Sequence, residues 1–291
     1  VYGGEKIDRQ IANLKRTTHI VVATPGRLID LVSRKAVCLS KVKTVILDEA
    51  DEMLSMGFKK ELDEILGFLT KVQSKWLFSA TMPHEIKQIA SEHMSATAHR
   101  ITVSGSNVVN ARIEHKFVHC EDAEKFHVLL QFLNSVKGQR GIVFCRTRNT
   151  ARKVAAQLIA KNVAAEAIHG DLLQKERDKV MRSFKNENLS IIVATDIAAR
   201  GIDVADLTFV VHFQLPDQNE YYTHRSGRTA RAGKEGISLV LANGYDVRTI
   251  REYEKNLKIS FSNIFAFFLI AFESTDGLVT SRPDGSPIFA V

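Results

Sequence analysis

The chain has 291 residues, 45% of them hydrophobic and 25% charged, a balance that excludes dominant disorder and supplies enough apolar material for packed cores. Forty Lys+Arg against 33 Asp+Glu leave a formal charge of +7, compatible with a polyanionic partner but not sufficient to establish one. Three widely spaced cysteines, Cys38, Cys120 and Cys145, exclude a disulfide framework and a CxxC metal site and fit a reducing, cytoplasmic setting.

In chain order, Val1-Tyr2-Gly3-Gly4 opens without a basic n-region or an apolar h-region, so no secretory signal is visible and the chain is expected to begin mid-protein. Short β-branched runs then alternate with helix-like segments: His19–Ala23, Thr44–Leu47, Trp76–Ser79 and Ile101–Val103. Apolar runs of this kind are how parallel strands buried on both faces look in sequence. Residues 1–103 are therefore read as one α/β domain. Ser104-Gly105-Ser106-Asn107 lacks periodicity, which places a linker at 104–112.

The alternation resumes with strands expected at Ile113–Cys120, Gly141–Cys145, Ala164–His169, Ile191–Thr195, Phe209–Phe213 and Ile237–Ala242. Helices are expected between them, as at Thr150–Lys161 and Gln174–Lys185. This gives a second α/β domain over 113–259, and a fold of two mainly parallel α/β domains. Residues 260–291 differ in kind, with no Lys, one Arg and six of the chain's 16 Phe. They read either as a partly packed extension or as a segment foreign to the fold. The longest apolar run, Ile264–Phe272, has nine residues, whereas a membrane-spanning helix needs about 20.

Two clusters carry chemistry. Asp48-Glu49-Ala50-Asp51 follows the buried run Thr44–Leu47, and ligands of open α/β sheets sit beyond the carboxyl ends of strands, where a magnesium-bound phosphate would meet these acids. The plainer reading is a solvated helix start. In His224–Gly233, Arg225, Arg228 and Arg231 recur at three-residue spacing, which can present guanidinium groups on one helical face toward a transferred phosphoryl group. The plainer reading is a basic turn.

Taken together, these residues resemble the DEAD-box ATP-dependent RNA helicases of superfamily 2, of the bacterial type. The resemblance rests on Asp48–Phe58 (DEADEMLSMGF), Ser79-Ala80-Thr81, Thr24-Pro25-Gly26-Arg27 and Gly3-Gly4 in the first domain. In the second domain it rests on Val143–Arg148, His169-Gly170-Asp171, Gln174 with Arg177, Ala194–Asp203 and His224–Arg231, and it covers about 1–259. It implies two RecA-like domains of the phosphate-loop NTPase type, with ATP and Mg2+ held between them and RNA, as single strands or short duplexes, lying across both.

Carried over by resemblance, Asp48 holds the magnesium through water and Glu49 orients or deprotonates the attacking water. Arg228 and Arg231 are arginine fingers, Asp203 with Gly201 meets the nucleotide, and Ser79, Thr81 and His224 belong to the catalytic apparatus. The RNA-facing residues implied are Gly4, Pro25, Gly26, Arg27, Arg146, Gly170, Gln174, Arg177, Thr195 and Arg200. Such contacts read backbone rather than bases.

No GxxxxGK[ST] occurs in the 291 residues, although that loop ordinarily grips the phosphates. The first domain is thus expected to be N-terminally truncated, its sheet short of strands with an apolar face bare. The chain by itself is expected to be a poor ATPase, with a non-catalytic RNA-binding module on the second domain as the alternative.

Overall fold

The computed structural model describes residues 1–102, 110–199, 207–231 and 233–264, and the chain divides into two compact units, Val1–Val103 and Ser104–Val291. In the first unit, α1 (Ile7–Leu14) and α2 (Pro25–Ser33) precede β1 (Thr44–Leu47); α3 (Ala50–Ser55), α4 (Lys59–Phe68), β2 (Ser74–Leu77) and α5 (His84–His93) follow. Pro25 opens α2 at its first turn, where a missing N–H removes no helical hydrogen bond.

The two strands pair in parallel, with Ile46 opposite Trp76 and Leu47 opposite Leu77. Strand periodicity splits their side chains between two faces. Val45, Leu47 and Leu77 pack with Leu39, Leu62, Ile65, Leu66, Ile86 and Ile89 into the core of this unit. Ile46, Trp76 and Phe78 point the other way, at 59%, 53% and 51% exposure, and the Trp76 and Phe78 rings stack with centroids 6.4 Å apart. This face of the strand pair is apolar and exposed.

The run His19–Ala23, expected to be a buried strand, forms no strand, and Ile20 and Val22 are 82% and 80% exposed. Its β-branched pattern meets no neighbouring strand in this unit with which to form a ladder. Likewise Ile101-Thr102 is not in a strand.

The second unit is a seven-stranded sheet in the order β5-β6-β4-β7-β8-β3-β9. Its strands are β3 (Ile113–His119), β4 (Gly141–Phe144), β5 (Ala165–Ile168), β6 (Ile191–Ala194), β7 (Phe209–His212), β8 (Gly236–Ala242) and β9 (Phe261–Asn263). Every pair is parallel. Helices α6 (Lys125–Ser135) and α7 (Arg148–Ala160) contribute Leu129, Phe132, Val154 and Leu158 to one face. The opposite face is covered by α8 (Gln174–Lys185), α9 (Asp196–Ala199), α10 (Asn219–Ser226) and α11 (Gly244–Leu257) through Phe184, Ala198, Tyr222 and Tyr253. Gly141 is demanded by packing: a Cβ there would lie 2.1 Å from the Phe209 ring. No helix among the described residues is long and apolar enough to cross a membrane.

The sheet runs past residue 259, where sequence placed the end of the second domain, because β9 pairs with β3 from His115 opposite Phe261 to Phe117 opposite Asn263. Three residues give too little periodicity to announce a strand. The Phe261 ring lies 5.6 Å from His115 and 5.5 Å from Tyr222, and Ile264 packs against the main core. Residues 265–291 lie outside the described residues, as do Val103 and 104–109 of the expected linker.

Beneath Phe261 runs a buried polar chain. His115 Nδ1 and the Tyr222 hydroxyl are 2.5 Å apart, and Tyr222 and Ser226 meet Ser238 Oγ at 3.1 and 2.9 Å. His212 Nε2 closes the chain 3.1 Å from Ser238. Burial pushes His115 down to about 4 and His212 well below its ordinary value, so both are neutral at pH 7.

This packing has two measurable consequences. A fragment of residues 110–264 should unfold in one cooperative thermal transition, and ending it at 259 should cost about 1–3 kcal/mol by removing Phe261 from its partners, read by circular dichroism. Because unfolded His115 titrates near 6.5 and folded His115 near 4, the unfolded state gains protons first as pH falls. Stability should therefore drop between pH 6.5 and 4, by up to about 3 kcal/mol from this group, and the pH slope of the melting midpoint should be shallower in His115→Gln.

Candidate functional site

In the first unit, Asp48 and Glu49 stand immediately past the carboxyl end of β1, both exposed. Glu49 caps α3 with φ 51° and ψ 47°, the left-handed region, which costs a non-glycine residue roughly 1–3 kcal/mol. The neighbouring backbone holds it there. The Glu49 amide donates to Asp48 Oδ1 at 3.0 Å, and the Ala50 amide donates to the Phe78 carbonyl at 3.0 Å. The adjacent acids are thereby fixed in the turn from strand to helix, their carboxylates open to solvent.

Asp51 is a member of this site that sequence reasoning missed, since all four acidic-segment residues shared one explanation as a helix start. Its Oδ2 accepts from the Thr81 amide at 2.7 Å and the Thr81 hydroxyl at 2.8 Å, and Ser79 Oγ donates to the Thr81 carbonyl at 2.6 Å. Burial pushes the Asp51 carboxyl up, but hydrogen bonds from Thr81, Ser79 and Glu52 together hold it below the usual range. Ser79 and Thr81 are thus tied directly to the acidic turn.

The other first-unit candidates form a separate group. Gly4 has φ 82°, a backbone that favours glycine, and the Gln10 side chain bonds both backbone groups of Tyr2 at 3.1 and 2.9 Å. Arg27 Nη1 donates to the Glu5 carbonyl at 3.0 Å, so the glycine turn and the Pro25-Gly26-Arg27 helix start are joined. Pro25 is buried and Gly26 exposed.

In the second unit the sheet order places the carboxyl ends of β5, β6 and β4 side by side. Gly170 follows β5, and Thr195 follows β6 with its amide 3.4 Å from the Ile168 carbonyl. Gln174 opens α8 and bonds Asp178 at 2.8 Å, and Arg177 Nη2 donates to the Ala198 carbonyl at 3.0 Å. These four are brought together. Arg146 is committed elsewhere: its guanidinium bonds the Leu215 carbonyl at 2.7 Å and Asp217 at 2.8 Å.

The three arginines spaced by three do not share a helical face. Helix α10 ends at Ser226, and Ala230 at φ 55° turns the chain. Arg225 is 2% exposed, its Nε and Nη2 bonded to Asp196 at 2.5 and 2.7 Å and its Nη1 to the Gln214 carbonyl at 2.8 Å. It lies over the Phe144 ring, 5.1 Å from the centroid. His224 and Arg228 are half-buried and Arg231 is exposed, its Nε bonding the Gly227 carbonyl at 3.0 Å. Spacing alone could not show where the helix stops. Arg200, Gly201 and Asp203 lie outside the described residues.

Asp63, Glu92 and His93 bring three ligand atoms within 4.8 Å of one another. His93 Nε2 already pairs with Asp63 at 3.2 Å, which satisfies those two side chains without an ion.

Residues 1–89 match the family described as DEAD/DEAH box helicase, and residues 124–233 match the helicase conserved C-terminal domain. The chain is 41% identical over 258 residues to the DEAD-box ATP-dependent RNA helicase CshA of Bacillus cereus, covering 89% of this chain and 49% of that protein. It spans about half the length of the curated relatives it matches. Among solved structures, a DEAD box protein from the hyperthermophile Methanococcus jannaschii is 41% identical with a TM-score of 0.51, covering 91% of this chain and 71% of that one. The S. cerevisiae protein Dbp5 bound to RNA and ADP BeF3 gives a TM-score of 0.80 at 27% identity, covering 89% of this chain and 70% of that one. The acidic turn after β1, its link to Ser79 and Thr81, the arginine segment beyond α10 and these matches in both units agree: the chain belongs to the DEAD-box helicase family.

Proposed function

We propose that this chain forms part of an ATP-dependent RNA helicase that couples ATP binding and hydrolysis to sequence-independent RNA binding and local unwinding of short duplexes. The observation that carries the reading is the exposed Asp48–Glu49 pair, held past the carboxyl end of β1 by a left-handed Glu49. Glu49 would orient the attacking water and take up its proton, and the strained turn keeps its carboxylate from folding back into the helix.

The donor set suits Mg2+, because Asp48 offers hard carboxylate oxygens facing solvent and this ion keeps several of its waters. Bound there, the ion would supply positive charge to the phosphates of ATP. Arg228 and Arg231 would neutralise charge developing on the transferred phosphoryl group. Gly201 and Asp203 complete the proposed nucleotide contacts. His224 is assigned to the same apparatus through its place on α10, and Ser79 and Thr81 through the bonds that join them to Asp51.

RNA would run over Gly170, Gln174, Arg177, Thr195 and Arg200 in the second unit and over Gly4, Pro25, Gly26 and Arg27 in the first. Backbone amides and arginines at these positions meet phosphates and sugars rather than base edges. Arg146 contributes there only if its bonds to Leu215 and Asp217 are exchanged.

No GxxxxGK[ST] is present to grip the β and γ phosphates, so turnover by these 291 residues should be slow. The seven-stranded second unit, with its own core on both faces, favours a second reading in which this chain binds RNA without catalysis.

Comparing the chain with Glu49→Gln by ATP hydrolysis, with and without single-stranded RNA, separates the two. RNA-stimulated turnover that falls by about 100-fold or more in the variant supports catalysis through Glu49. RNA binding with no turnover in either protein supports the second reading.

A further inference from the structure

We propose that Asp63, Glu92 and His93, none of which belongs to the motifs above, form a site for one divalent transition-metal ion, Zn2+. Asp63 lies midway along α4, whereas Glu92 and His93 end α5, so the donors converge from two helices that β2 separates in sequence. They offer one imidazole nitrogen and two carboxylate oxygens, all within 4.8 Å of one another. Zinc accepts this mixture of nitrogen and oxygen and completes its tetrahedron with a water.

The separations suit ligands of one ion. Zinc bonds of about 2.0–2.2 Å place two corners of a tetrahedron about 3.3–3.6 Å apart, and His93 Nε2 stands 3.2 Å from Asp63 Oδ1. Their hydrogen bond thus holds two donors near ligand spacing while no ion is bound. The ion takes the place of the shared proton, and the imidazole then carries its proton on Nδ1. Gln88 Nε2 donates to Glu92 Oε1 at 2.8 Å from one turn back on α5, which steadies Glu92 and leaves its second oxygen available. Lys75 Nζ donates to the His93 carbonyl at 2.6 Å, fixing the end of α5 through the backbone. Among the described residues neither carboxylate bonds a Lys or Arg, so a cation between them replaces repulsion with attraction.

Asp63 and His93 keep 39% and 23% side-chain exposure and Glu92 is exposed, which leaves a path for an ion to enter. The backbones beneath are packed: Leu62 and Ile65 of α4 and Ile86 and Ile89 of α5 share one core. Binding therefore has little chain to order. The imidazole selects the class of ion, because Mg2+ prefers an octahedral shell of oxygens whereas nitrogen donors favour zinc and its neighbours. The ion would clip the helix that follows Ser79-Ala80-Thr81 to the helix beyond the acidic turn.

The test is isothermal titration of the full chain with Zn2+ in chelator-free buffer, beside Asp63→Asn, Glu92→Gln and His93→Gln. The parent should bind one equivalent more tightly than its other histidines and cysteines do. Each variant should lose about tenfold or more in affinity for that equivalent, at least what loss of a group supporting a ligand costs. His84→Gln, on the same helix, should lose none. Melting followed through Trp76, the one tryptophan and a member of the same unit, gives a second readout. Zn2+ at about ten times its dissociation constant should raise the parent's midpoint by about 5 °C, and the variants' by far less. Glu92→Gln alters an exposed side chain and keeps an acceptor for Gln88, so it carries the comparison if the other two variants melt early. The site is overturned if the parent shows no saturable Zn2+ binding, or if Glu92→Gln and His93→Gln bind Zn2+ as the parent does. Displacement of Zn2+ by millimolar Mg2+ would also overturn it, reducing the cluster to an unselective patch of negative charge.

Discussion

Because every strand pair in both sheets is parallel, all strands of a sheet finish on the same side, and the turns beyond them become neighbours. That constraint gathers Gly170, Thr195 and the start of α7 although they are distant in sequence. It also forces the connections to cross over the sheet, so helices must cover both faces of the second unit. The core on each face then fixes the strand register: a slip of one residue would exchange Ile142 and Phe144 with Val143, which pack on opposite sides. Chemistry at the strand ends is a consequence of burial elsewhere.

The interior of the second unit is not wholly apolar, and its polar members act on the same region. Arg225 and Asp196 form a hydrogen-bonded ion pair between α10 and α9, with Phe144 beneath the guanidinium. Losing Asp196 would leave the buried Arg225 charge without its carboxylate, which makes the pair a positional constraint more than a source of stability. The chain from His115 through Tyr222, Ser238, Ser226 and His212 anchors the same helix to β3, β7 and β8. Arg228 and Arg231, just beyond α10, therefore project from a helix held on two sides. In the first unit the Thr81–Asp51 bonds serve a similar purpose for the acidic turn.

Much of the second unit was legible in its sequence because strands buried on both faces write themselves as uninterrupted apolar runs. Ile191–Ala194 and Phe209–His212 are of this kind, and α8 falls on the expected residues, Gln174–Lys185. The same signal misled at His19–Ala23, since a β-branched run specifies a strand only when a neighbour completes its ladder. β9 was too short for any period. At the site, Asp48, Glu49, Ser79 and Thr81 could be named from motifs, whereas Asp51 and Arg225 required side-chain geometry. Asp51 was hidden by an adequate local explanation, and Arg225 by a spacing rule that presumes an unbroken helix.

The bare face of the first unit has an optical consequence. Trp76 is the chain's one tryptophan, and it stands on that face, half-exposed and stacked on Phe78. Its emission therefore reports a single environment, undiluted by any second indole. A segment or surface laid over Ile46, Trp76 and Phe78 would strip water from the ring and shift its fluorescence to the blue, while events confined to the second unit would leave the spectrum unmoved. The chain carries an intrinsic gauge of whether its uncovered sheet has found a cover.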